Sequence, residues 1–464
     1  MKPIAAIVLP ALALVTGCAP YKYHPAPISP PALAHSLQAR SLDDPDFLSW
    51  MKEAAHYEPK SWPLRSWDFE ALTLAAWYFN PEMDVARANA AAADAAIKTA
   101  AMKPNPSAGA GAGYETTPES PFLMTLDFSL PIETAGKRGY RIATATHLSE
   151  ASRIQVAETA WAVRSRVRAA LVDYVFAVST AGVLRTHESL QSRYVELLEA
   201  RFRAGEIPLP EVTAARVDLI NLRQALRAAE GQTRTTHAVL AAAVGIPDTV
   251  LSGKNVIWSG TEQPPLPASL PPEGVRESAV LNRLDVQRVL AQYEAAQSNL
   301  QLEVARQYPD INLGPGYGFE EGYHLASLGL AAVLPIRNHN EGPIAEAEAQ
   351  RKVAGTQLLA IQSTVIADTD KALARYVAAH ATLEEAEYSV HQLETQRKAA
   401  YQSLQSGETD QLAALSSDIQ ISTAIRARLD ALHEAQLSLG SLEDALQRPI
   451  DPSTMSTSPE RPPR

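Results

Sequence analysis

The sequence predicts a mainly α chain that also carries transmembrane β-structure, and three observations point there. Four stretches of about ten residues alternate oily side chains with polar or small ones, in two hairpins. Two helical runs, over 137–204 and 343–405, are far longer than a compact domain needs. The whole pattern then recurs: Pro106 and Pro309 are 203 residues apart, Pro131 and Pro335 204, and Gly205 and Gly407 202.

At the N-terminus, residues 1–17 combine Lys2 with an apolar run from Ile4 to Val15, the form of a secretory signal peptide and too short for a spanning helix. Leu14-Val15-Thr16-Gly17-Cys18 resembles a bacterial lipoprotein signal, which implies diacylation at Cys18. Cys18 is the single cysteine, so no internal disulfide is available to an exported chain. Ala19 follows instead of the aspartate that resembles an inner-membrane retention signal, which favours the outer membrane. Residues 18–66 are expected as a lipidated, proline-rich linker and a strap carrying Trp50 and Trp62, with Trp67 at its end.

The first repeat is expected over 67–250. Its opening helix, Phe69 to Lys103, is alanine-dominated and broken at Asn80-Pro81. A hairpin over 107–131 follows. Ala108, Ala110, Ala112 and Tyr114 alternate with glycines, and Phe122, Met124, Leu126, Phe128 and Leu130 alternate with Leu123, Thr125, Asp127 and Ser129. The long helix 137–204 shows a seam at Val163, Val167, Ala170, Tyr174 and Ala177, and again at Leu190, Tyr194 and Leu197. Gly205 ends it, Pro208 and Pro210 reset the chain, and a return helix runs over 211–244.

After a linker at 251–271 the second repeat, 272–448, has a hairpin at 310–334, a long helix at 343–405 and a return helix at 409–447. Its strands set Ile311, Leu313, Pro315, Tyr317 and Phe319, then Leu328, Leu330, Ala332 and Leu334, on one side. Pro106 and Pro309 mark helix-to-strand junctions, Pro131 and Pro335 strand-to-helix junctions, because proline removes a donor and extends its predecessor. Residues 449–464 read as a disordered tail.

Four strands cannot close a barrel, and an open edge in hydrocarbon leaves backbone groups unpaired at several kcal/mol each. Several chains must therefore complete one wall. Two copies would give eight strands and three would give twelve, and both numbers are allowed.

The chain resembles the TolC-like family of outer-membrane efflux proteins. The residues that carry this are Asn80-Pro81-Glu82-Met83, Pro104-Asn105-Pro106, Leu130-Pro131-Ile132-Glu133-Thr134-Ala135-Gly136-Lys137-Arg138, and the turns Arg203-Ala204-Gly205-Glu206 and Gln405-Ser406-Gly407-Glu408, in this order from Trp67 to Gln447. The resemblance implies a homotrimer with a twelve-stranded outer-membrane barrel continued by a periplasmic helical tunnel. It also implies a periplasmic adaptor and an inner-membrane pump of the resistance-nodulation-division type as partners. The tips would then be the periplasmic mouth, with Gly205, Glu206, Ile207, Leu209, Glu211, Gly407, Glu408, Thr409 and Asp410 as adaptor-docking or gating residues. Where some members place constricting carboxylates after the second tip, this chain has Ala413 and Ser416. The segments Glu133 to Arg138 and Trp67 to Pro81 look like members that serve heavy-metal pumps, so metal cations are the expected cargo and other small molecules the alternative.

No catalytic constellation, phosphate loop or cofactor fingerprint stands in the sequence. The formal charge of -11, with no basic patch, argues against nucleic acid. The eleven histidines do not fall at ligand spacing, and His339, His391 and His433 stand singly, so no metal site is expected. The Arg164, Arg166 and Arg168 run covers several helix faces and is expected to pair with acidic neighbours. A rival from a different class is a lipid-tethered periplasmic coiled-coil protein, such as an adaptor, whose hairpins would pack on its own core.

Overall fold

The computed structural model describes residues 22–59, 61–114, 116, 122–258, 263–267, 281–320 and 322–450. The signal peptide and Cys18, most of the turn at 116–120, parts of the linker at 251–271 and the tail beyond 450 lie outside the described residues. Two compact units divide the chain after Arg40. The first contains one described helix, α1 (Pro30–Gln38), which the proline-rich composition hid, and α1 buries none of its residues.

In the second unit the strap is partly helical. α2 (Pro45–Glu53) is capped by Asp44, whose side chain accepts from the Asp46 amide, and it buries Phe47 and Met51. α3 (Phe69–Phe79) is apolar all round and correspondingly buried on nearly every side. Asn80 caps α4 (Pro81–Ala100): its side chain accepts from the Glu82 amide at 3.0 Å and donates to Ala243 O at 3.1 Å. Trp67 closes this core by strand-like bonds to Asn255 O (2.8 Å) and from the Ile257 amide (3.0 Å), so the start of the linker is tied in as well.

The remaining elements are β1 (Ser107–Tyr114), β2 (Phe122–Ile132), α5 (Lys137–Arg203), α6 (Leu209–Val244), α7 (Asp248–Leu251), α8 (Leu284–Ala305), β3 (Ile311–Glu320), β4 (Tyr323–Ala332), α9 (Glu341–Ser406) and α10 (Gln411–Leu446). The duplication holds in the boundaries: α4 and α8 begin 203 residues apart (81 to 284) and α6 and α10 202 apart (209 to 411). At about 1.5 Å per residue, α5 and α9 each extend on the order of 100 Å. α5 packs on both α6 and α10, and α10 on α9; toward the strands α5 also packs on α4 and α8, and α8 on α9.

The strands form one sheet in the order β1-β2-β3-β4, all antiparallel. Partners across a ladder point to the same face, and the register aligns the oily rows throughout. Ala112 lies opposite Met124, Met124 opposite Phe319, Leu313 opposite Leu330 and Pro315 opposite Leu328. Apart from His324 at its end, opposite Phe319 and bonded to the Tyr317 hydroxyl, one face is therefore a continuous apolar surface, with Leu328 and Leu330 each 73% exposed. The other carries Thr125, Asp127, Asn312, Ser327 and a run of glycines, beside Leu123, Tyr323 and Leu325. A Cβ on Gly111 would meet Thr125 Oγ1 at 2.6 Å and one on Gly316 would meet Ser327 Oγ at 2.7 Å, so glycine there makes room for polar neighbours.

Several expectations are corrected. Pro131 is not at a junction but inside β2, opposite Asn312; the chain turns into α5 only at Ala135 (φ 54°) and Gly136 (φ 72°). The fourth strand spans Tyr323–Ala332 and leaves out Val333 and Leu334, because its ladder to β3 ends at Ile311 opposite Ala332. Phe128 and Ser129 have no partner in the β2–β3 ladder opposite Pro315, which has no amide to donate. The return helices start at Leu209 and Gln411. Near the tip the buried seam of α5 is Gln191, Val195 and Leu198, one residue on from Leu190, Tyr194 and Leu197, which are only half-buried. A short glutamine thus lies on the closest line of approach, its amide donating to Ala215 O at 3.3 Å.

One buried charged cluster joins the repeats. Arg164 and Glu443 have fully buried side chains, Arg168 nearly so, and Glu443 Oε2 lies 3.7 Å from Arg164 Nη1 and 3.2 Å from Arg168 Nε. Arg164 sits over the rings of Trp161 (4.8 Å) and Phe69 (5.0 Å), and Arg168 over Trp258 (5.3 Å). Burial pulls the Arg164 guanidinium below its usual value against the opposing pull of Glu443. Arg168 reaches Gln436 O at 2.8 Å by passing where a side chain at residue 440 would stand, which glycine leaves open. The expected acidic partner holds for Arg166, which clasps Glu82 through both nitrogens.

Three outcomes are expected in thermal unfolding. Gly245, at φ 87°, would place a Cβ 2.8 Å from Asn80 Cα and 2.9 Å from Phe79 O, so G245A should destabilise by about 2–4 kcal/mol. Mid-helix Gly231 meets nothing, and G231A should be neutral or stabilising. E443Q strands two buried guanidinium groups and should cost about 3–5 kcal/mol; a loss under about 1 kcal/mol would show that the aromatic faces alone hold them.

Candidate functional site

Two places bring the sequence-selected residues together: the helical tips and the switch from sheet to helix. At the tips the same cap ends both long helices. The Glu206 amide donates to Arg201 O (2.9 Å) and the Gly205 amide to Phe202 O (2.9 Å); Glu408 donates to Ser403 O (2.9 Å) and Gly407 to Leu404 O (3.2 Å). Gly205 (φ 78°) and Gly407 (φ 79°) take the left-handed conformation this cap demands, with open space around them. Conformation, not crowding, selects glycine here.

The two tips are in contact. Val195, Leu198, Val212, Ala215 and Leu219 of the first repeat bury Leu412 of the second, with Ile207 packed at the edge. Arg201 pairs with Asp410 across the tips and lies 3.8 Å from Glu206. Asp410 also caps α10, accepting from the Ala413 amide at 2.9 Å. That backbone bond first, and the Arg201 guanidinium second, hold the Asp410 carboxyl below the usual carboxylate range. Leu209, Glu211, Glu408 and Thr409 are exposed. That Arg201 links Glu206 to Asp410 is not legible in the sequence, because 209 residues separate Arg201 from Asp410.

At the switch, the Glu133 to Arg138 motif works as a clamp. Thr134 donates through its amide to Asp310 Oδ1 (3.0 Å) and through its hydroxyl to Pro309 O (2.6 Å). Lys137, almost wholly buried, donates to Tyr308 O (2.6 Å) and pairs with Asp310 (2.7 Å). Arg141 pairs with Glu133 and reaches Met102 O (3.2 Å) and Ala100 O (3.4 Å), tying the end of α4 to α5. Pro106 directly precedes β1, Pro309 stands two residues before β3, and Pro335 lies in the irregular stretch between β4 and α9.

The tip tie has a defined pH dependence. Because the folded Asp410 carboxyl titrates below its unfolded value, its contribution is fully present above the ordinary aspartate value of about 3.9 and fades as pH falls through the lower folded one. Amide exchange at Ala413, corrected for its intrinsic rate, should stay constant from roughly pH 8 to 5 and speed up only in stronger acid. D410A should expose that amide already at neutral pH, at about 1 kcal/mol for the lost cap.

Comparison with known proteins places these features. Residues 76–246 match the family described as outer membrane efflux protein. The cobalt-zinc-cadmium resistance protein CzcC of Cupriavidus metallidurans is 27% identical over 252 residues, 53% of this chain and 58% of that protein, so the chain matches little more than half of the length of this relative. Among solved structures, the outer membrane protein VceC of Vibrio cholerae shares the fold with a TM-score of 0.65 at 20% identity, over 82% of this chain and 95% of that one. CusC, described in terms of transmembrane channel formation, has a TM-score of 0.65 at 16% identity, over 84% and 95%. The first repeat thus matches the outer membrane efflux protein family by sequence, and most of the chain shares its fold with VceC and CusC.

Proposed function

We propose that this protein is the outer-membrane exit duct of a tripartite efflux system, a homotrimer that passively conducts what an inner-membrane pump expels through a periplasmic adaptor. The observation that carries this is the sheet: a four-stranded arc with one continuous apolar face, both edges unpaired, leading directly into helices on the order of 100 Å long. Three arcs make twelve strands, within the range of closed barrels. Apolar residues then face lipid, and the glycine-rich, more polar face lines the pore. Diacylation at Cys18 adds a lipid anchor to a barrel that is already integral.

Adaptor helices would dock on the tips, where Leu209 (52% exposed), Glu206 and Glu408 stand out beside the tie between Arg201 and Asp410. That tie joins the two tips of one chain, and its release is a means of opening the mouth. Heavy-metal cations are the proposed cargo, supported by the likeness to CzcC and by the resemblance of the segments Glu133 to Arg138 and Trp67 to Pro81 to members that serve heavy-metal pumps. The chemistry of such a duct needs no catalytic group, and the tips and junction are built as joints.

Three experiments bear on this. The protein should fractionate as an integral outer-membrane species, and release of monomer by salt alone would reject the barrel. E206K combined with E408K should reduce adaptor crosslinking several-fold; unchanged crosslinking removes those two residues from the contact. Coexpressed with a cobalt-zinc-cadmium pump and its adaptor in a host lacking their outer-membrane partner, the chain should restore zinc and cobalt tolerance. Protection against drugs without protection against metals would reassign the cargo to other small molecules.

A further inference from the structure

The geometry points to a binding site for a first-row divalent cation, of the zinc or cobalt class, held by His147, Glu150 and Glu294 between α5 and α8. His147 and Glu150 are three residues apart and share one face of α5, and Glu294 reaches in from α8. His147 Nδ1 lies 3.2 Å from Glu294 Oε2 and 3.8 Å from Glu150 Oε2, and one ligand atom from each residue falls within 4.8 Å of the others. Donors around a tetrahedral ion with bonds of about 2.1 Å stand roughly 3.4 Å apart, close to the 3.2 Å from His147 to Glu294 and somewhat under the 3.8 Å from His147 to Glu150.

Two independent features separate this group from an ordinary surface ion pair. His147 Nδ1 is buried yet makes no hydrogen bond, although a carboxylate oxygen is near, so the donor atoms are not satisfied by one another. Nor does any lysine or arginine pair with Glu150 or Glu294 among the described residues, whereas Glu158 lower on the same helix pair is matched by Arg288 at 2.9 Å. Two carboxylates converging on an imidazole with no cation between them is an arrangement that a divalent ion completes. One nitrogen and two oxygens suit zinc or cobalt, with a fourth position open to water. Two ligands from one helix and one from its neighbour, on rigid elements, is how bundles hold metals. The ion would pin α5 of the first repeat to α8 of the second, close to where both lead toward the sheet. This inference does not rest on the proposed cargo, since a fixed site in the wall is separate from transit through a pore.

The test uses the full chain in detergent, titrated with Co2+ and followed by visible absorption and calorimetry. One saturable Co2+ site per chain, displaced by Zn2+ and accompanied by a rise in Tm, is expected. H147A and E294Q should each weaken binding by about tenfold or more, while H391A, at a lone histidine on α9, should not. Absence of saturable binding in the wild type, or equal affinity in wild type and H147A, would overturn the site. Should H147A fail to fold, E150Q and E294Q carry the decision, because both glutamates are exposed (60% and 49%) and tolerate the change; unaltered binding in both variants refutes it. Loss of metal tolerance in cells with the site intact would count against the efflux reading alone.

Discussion

The constraint on which everything else depends is the pairing of backbone groups at the two margins of the sheet. β1 and β4 each have one paired neighbour. In water such edges are a manageable liability, but in hydrocarbon every unpaired amide and carbonyl costs several kcal/mol. On the proposed reading, an apolar face like that of Leu328 and Leu330 would commit the sheet to hydrocarbon, and the sheet would then commit the chain to its own copies. Oligomerisation would in this sense be a consequence of hydrogen bonding and not an added feature.

Given that commitment, the chain must hold each arc at a fixed angle to the helices beneath it. The clamp of Thr134, Lys137 and Asp310 does this where β2 turns into α5, and it does so across the repeats, because Asp310 immediately precedes β3. Lower down, Arg164, Arg168 and Glu443 tie α5 to α10 through a charge cluster sealed by aromatic rings. At the far end Arg201 and Asp410 tie the two tips. Each tie joins the first repeat to the second, so the duplicated halves behave as one wall segment. The buried cluster is expensive to desolvate and stays favourable only while complete. The tip tie is exposed, weak and easily released. That gradient, from fixed junction and core to yielding tips, suits the duct proposed above.

Much of this was legible in the residues alone. Alternation set the faces of all four strands, because a period of two leaves little choice once one face is oily. Glycine after a long proline-free run located both tips. What the sequence hid are relations between distant positions. Arg164 and Arg168 looked like ordinary helix charges until Glu443 arrived from 279 and 275 positions away (443 − 164 and 443 − 168). The group at His147 does not show as ligand spacing because its third member, Glu294, comes from the other repeat. Pro131 misled because proline was read as a junction marker, whereas near a strand end the ladder tolerates it. The seam near the tip differs by one residue because apolar character favours Leu190 over Gln191, whose amide is satisfied by a backbone carbonyl. The helix at 45–53 was missed for want of a long apolar period, its burial resting on Phe47 and Met51.

If each chain is one arc of a wall closed by neighbouring copies through β1 and β4, disulfide trapping in native membranes should show it, with single cysteines placed along Ser107–Tyr114 paired against single cysteines along Tyr323–Ala332. Crosslinks between chains at one register, building a ladder that stops at three, are the expected result. No crosslink at any register, or crosslinks only within a single chain, would contradict it.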